Sequence, residues 1–172
     1  MTPLMQLAVK LNATEAQVQF ALMAGRFNDY RPVLGGPVLR ILRSMERRIF
    51  ETEGAAFGGV QWPDLHPRTI ADRLRKGFPG AHPILQQTHR LINSLVGARA
   101  TQDSIVEIDP FGMTFGTSVF YGPPHQRGRP HGRPRIPKRQ FVPTAIPPVV
   151  LSQIRTSVRD YLIEGRVSGH AA

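Results

Sequence analysis

The chain has 172 residues, a length that suits one domain with its own core, and its 41% hydrophobic and 20% charged content argues against a wholly disordered chain. It has no cysteine, which excludes disulfides and cysteine-based zinc sites and suits a reducing cytoplasm, and no apolar run approaches the roughly 20 residues that span a bilayer. The formal net charge of +10 draws polyanions without choosing among nucleic acid, acidic protein and anionic lipid.

Leu4, Leu7, Ala8 and Leu11 recur at helical spacing, so residues 4–24 predict helix. The pattern Thr14-Glu15-Ala16-Gln17 fits a capping box and predicts a second start, carrying Val18, Ala21 and Leu22. One early lysine and no cleavage site mark an amphipathic helix rather than a signal peptide. Gly25 is the expected stop, and "RFNDYRPVLGGP" at 26–37 reads as a loop. Residues 1–36 are thus expected to form an N-terminal helical arm.

Pro37 is expected to open the clearest helix, which runs to Glu53. Val38, Ile41, Leu42, Met45 and Ile49 form its apolar stripe; Arg40, Arg43, Glu46, Arg47 and Glu51 fall on the other face. Core packing explains that stripe, and Gly54 suits a left-handed cap. An irregular linker around Trp62 follows, with a short helix over Arg68–Lys76. Helical spacing returns over residues 84–96 through Ile84, Thr88, Leu91 and Leu95. The period then changes to two, and Ile105–Thr117 predicts a β-hairpin turning at Asp109-Pro110-Phe111-Gly112. Val119, Phe120 and Tyr121 extend that strand or begin another.

The segment "YGPPHQRGRPHGRPRIPKRQFVP" at 121–143 holds Arg127, Arg129, Arg133, Arg135, Lys138 and Arg139 and no acid. Residues 122–139 read as a basic loop between Tyr121 and Phe141, which serve with Trp62 as structural anchors. A last helix starts near Pro147 or Pro148, with Val150, Ile154, Val158, Tyr161 and Leu162 on one face and Gly165 closing it. The sum is an α+β fold: a small antiparallel sheet packed with several helices, plus extended loops. Residues 37–165 form the domain and 166–172 a flexible tail.

No reactive constellation stands out. The serines sit in no strained Gly-x-Ser-x-Gly turn, and Asp64, Asp72, Asp103, Asp109 and Asp160 are scattered singly. The six histidines show no metal-binding spacing, and arginines beside His125 and His131 oppose a cation. The glycine-rich stretches lack a P-loop ending. No catalytic, cofactor or metal site is therefore expected. Phosphate contact by the six loop cations is the strongest chemical candidate, although aromatics do not interleave them. Docking on an acidic neighbouring subunit, or plain solvation, explains the same charges.

Four patterns occur in order: "GGVQWPDLHPRT" at 58–69, "ILQQTHRLINSLVG" at 84–97, "FGTSVFYGPPHQRG" at 115–128 and "RIPKRQFVP" at 135–143. Together they resemble the phage virion morphogenesis family, the tail-completion proteins of Mu-like and P2-like tailed phages. The resemblance covers about residues 38–162. It departs at His89, where the family has Gly, at Gly122, where it has Ala, and in the basic stretch from His125 to Ile136. It implies a structural, non-enzymatic virion protein of the head–tail junction, made in the host cytoplasm. It also implies a homo-oligomeric ring, expected to be six-fold, that contacts neck, connector and tail proteins and sits near the genomic DNA in the channel. The other reading is a protein of a phage or mobile element that binds DNA without sequence preference.

Overall fold

The computed structural model describes residues 13–131 and 135–167. The expectations for residues 4–12, for Arg133 and for the end of the tail lie outside the described residues. Helix α1 (Ala13–Phe27) already includes Thr14, so the capping-box start falls inside its first turn. It also runs through Gly25. The break comes where Asn28 Nδ2 donates back to Ala24 O (3.2 Å) and Asp29 Oδ1 accepts the Arg31 N–H (3.0 Å), side-chain bonds that compete with the helical ladder.

The expected loop 26–37 is mostly helical. Helix α2 (Arg31–Val33) passes through a π turn (Leu34–Val38) into α3 (Leu39–Glu51) without interruption. Pro37 lies inside that turn and does not open the helix. Its ring has no N–H and crowds the carbonyl one turn back, and the wider π turn accommodates both defects. Along α3, Val38, Leu42, Met45, Ile49 and Phe50 are buried. Glu46, assigned from the sequence to the polar face, is fully buried with them: it follows Leu42 by four residues and precedes Phe50 by four.

After α3 the backbone turns sharply. Gly54 (φ +95°) donates to Ile49 O, and a side chain there would meet the Trp62 ring at 2.5 Å. Helix α4 (Pro67–Arg75) is capped by His66, whose Nδ1 accepts the Arg68 N–H at 3.2 Å. Helix α5 covers only Arg90–Val96, half of the predicted 84–96. Tertiary bonds hold the preceding residues: Glu53 Oε1 takes the Ile84 N–H (2.8 Å) and Phe50 O takes Gln86 Nε2 (3.3 Å), with Leu85 and His89 at positive φ.

Strands β1 (Ser104–Ile108) and β2 (Met113–Thr117) form an antiparallel hairpin in which Val106 faces Phe115. Asp109 closes its turn, donating to Gly112 O and accepting the Phe111 N–H. Residues 119–121 do not extend the sheet. Tyr121 caps a short helix, α6 (Gly122–Arg127), so the start of the expected basic loop is helical. Gly122 fits because a Cβ there would lie 3.3 Å from the Phe141 ring. Helix α7 (Pro148–Glu164) ends at Gly165 (φ +70°). Arg26 holds α1 to it by donating to Leu162 O and Ile163 O, and the Tyr161 hydroxyl donates to Asp29 O (2.6 Å). The core joins Val33, Phe50, Ile84, Leu91, Val119 and Val150, drawn from both halves of the chain. The architecture is α+β, with a two-stranded antiparallel sheet against helices.

Candidate interaction surface

The four sequence patterns meet at one place in the core. Trp62 is 2% exposed and packs edge-on against Phe50, with ring centroids 5.4 Å apart; Phe141 lies 6.0 Å from the same ring. Trp62 Nε1–H donates to Gln140 O (2.9 Å) across 78 residues of sequence. Gln126 Oε1 accepts the N–H groups of Phe141 and Val142, each at 3.0 Å. Ser94 Oγ and Thr117 Oγ1, 2.7 Å apart, tie α5 to β2. Tyr121 is half-buried, edge-on to Phe120 and His125.

Arg139 belongs to this core and not to the exposed arm with which the sequence groups it. It is 4% exposed and donates to Pro63 O and Asp64 O, both at 2.9 Å. A guanidinium matches two adjacent carbonyls geometrically, and they replace the water it loses. Arg73 plays the same part nearby, donating to Gly80 O (3.1 Å) and Pro83 O (3.2 Å). Burial pushes both guanidinium pKa values down.

The remaining loop cations diverge. Arg127 is exposed at the end of α6. Arg129 is exposed, and its backbone exchanges two hydrogen bonds with Ile136 (2.7 and 3.0 Å), closing the base of the arm. Exposed Lys138 lies at the rim of an apolar cavity of about 540 Å³ lined by Phe57, Val60, Trp62, Ile146 and Pro147.

Arg135 faces a different cleft. With His66, Arg68, Thr69 and Arg75 of the α4 segment it lines a groove of about 840 Å³. Asp72 is the acid in its wall, already paired with Arg75 and with Lys76 (2.8 Å); the Lys76 bond, ahead of Arg75, holds its carboxyl below the usual range. Sequence reading missed the α4 half of this groove. The signal was present: Arg68, Asp72 and Arg75 recur at four and three residues, a charged stripe down one helix face.

Glu46, His125 and His82 are perturbed as well. Burial raises the Glu46 carboxyl to about 8, and neither of its oxygens has a hydrogen-bond partner among the described residues. Burial, then the Arg139 charge, lowers His125 to about 4. His82 is pushed up by its hydrogen bond to Glu53 (2.8 Å). Among the described residues no three His, Asp or Glu side chains group as metal ligands. No family model, curated protein or solved structure matches the chain.

Proposed function

We propose that the chain is a structural virion protein of the head–tail junction of a tailed bacteriophage. It acts as a neck or tail-completion component and assembles as a ring, expected to be six-fold, on its neck, connector and tail partners. The observation that carries this role is the convergence of the four resembling segments: Trp62 donates to Gln140 O, Arg139 to Pro63 O, the Phe141 and Val142 amides to Gln126 Oε1, and Ser94 bonds Thr117. Residues joined in this way act as a frame, which is what a structural component asks of them. Helix α1 adds support. Val18, Phe20, Leu22 and Phe27 lie on both of its sides and are 49–71% exposed, and large apolar side chains exposed together suit an interface.

Native mass spectrometry of the purified protein, alone and mixed with purified phage tails that lack it, tests the role. A discrete ring that loads onto tails is expected. A monomer that ignores tails overturns it. The basic groove favours a second reading, a DNA-binding protein without sequence preference.

A further inference from the structure

We propose that the groove between α4 and Arg135 is a binding site for the sugar–phosphate backbone of nucleic acid. Its wall is rich in donors. His66 Nδ1 already accepts the Arg68 N–H, so in the neutral ring the proton sits on Nε2 and that nitrogen donates. Arg68, Thr69, Arg75 and Arg135 add further donors, and the acid among them, Asp72, is engaged by Arg75 and Lys76. A surface of this kind selects a ligand made of anionic acceptors.

Spacing suits a chain of phosphates. Arg68 and Arg75 are separated by seven residues, about 10 Å along a helix axis, so successive phosphates of one strand can meet them in turn. The volume of about 840 Å³ leaves room for several such groups. Ala71 is the apolar residue among the described lining residues, none of which is Phe, Tyr or Trp, and the His66 ring is tied by its Nδ1 to the Arg68 N–H. Contact is therefore with the backbone and indifferent to sequence. An acidic peptide fits less well: its apolar side chains find only Ala71 among the described lining residues. The site does not depend on the joining role.

The test is fluorescence anisotropy with the full chain, a labelled random-sequence duplex of 20 base pairs and the matching single strand, across 50–200 mM NaCl. The duplex is expected to bind with a slope of log affinity against log salt of about −3, near one unit per arginine. The variant R68Q/R75Q/R135Q should bind at least tenfold more weakly at 50 mM and lose most of that slope. Arg155→Gln, a charge removed from α7, should change affinity less than twofold. The three groove arginines are exposed, so the triple variant should still melt cooperatively by circular dichroism; if it does not fold, Arg135→Gln alone should still weaken binding measurably. Equal binding by parent and triple variant overturns the site, as does no binding at 50 mM. Polyglutamate bound more tightly than DNA overturns it in favour of an acidic protein partner. A ring that loads onto tails but binds no DNA sinks this site alone, whereas a DNA-binding monomer that ignores tails sinks the joining role alone.

Discussion

A guanidinium carries five donors and no acceptor, so a buried one is stable only where oxygens replace its water. Arg139 finds Pro63 O and Asp64 O. Arg139→Ala should cost about 3 kcal/mol in urea unfolding, the scale of two charge-assisted hydrogen bonds. Arg139→Lys should recover less than half, because an ammonium does not span both carbonyls. Glu46 raises the opposite problem, a buried carboxyl without a partner among the described residues. Its folded pKa of about 8 exceeds the ordinary 4.5, so the folded chain keeps the proton longer and stability falls as pH rises from 4.5 to 8. Glu46→Gln should thus stabilise by about 3 kcal/mol at pH 7 and by nothing at pH 4, read from urea midpoints. His125 has the reverse sign. Its folded pKa of about 4 lies below the ordinary 6.5, so its contribution is complete above 6.5 and is lost as pH falls towards 4. In a pH titration followed by NMR, its ring should stay neutral down to about pH 4 while His82 titrates above 6.5.

The elements divide by how their hydrogen bonds are closed. The stripes of α3 and α7 and the hairpin were legible in the sequence because period and turn chemistry are local. Residues 84–89 carry the same helical period, yet Glu53 and Phe50 claim their donors from more than 30 residues away, and no local pattern encodes that. The Pro37 π turn was hidden for a related reason: proline usually starts or ends a helix, and here the continuous packing of Val33 and Val38 carries the helix through it. Gly54 is a tight turn. Gly54→Ala combines positive φ with a Cβ 2.5 Å from the Trp62 ring, and should destabilise by about 2–4 kcal/mol in thermal or urea unfolding. Helix α1 is thinly packed. None of its described side chains is buried, and Arg26 and the Tyr161–Asp29 bond join it to α7. Its amides should exchange with deuterium well before those of α3, and a ring or tail partner that covers its apolar sides should slow that exchange.

At the scale of the molecule, charge and burial pull in different directions. The net charge of +10 was visible at once, but not its division: among the loop cations, Arg139 is buried, Lys138 borders an apolar cavity, and Arg135 joins two arginines more than 50 residues earlier. Only the folded chain brings that last set together, so the groove could not be read from the loop alone. Like charges repel, so raising NaCl from 50 to 500 mM should raise the melting temperature, while any binding of DNA in the proposed groove should weaken. Trp62 carries a consequence of another kind. It is the sole tryptophan, it sits where segments from across the chain close on one another, and its indole N–H is held by Gln140 O. Its intrinsic fluorescence is thus a built-in optical gauge: blue-shifted emission tracks closure of the whole frame, and a shift to the red marks its opening, with no added label.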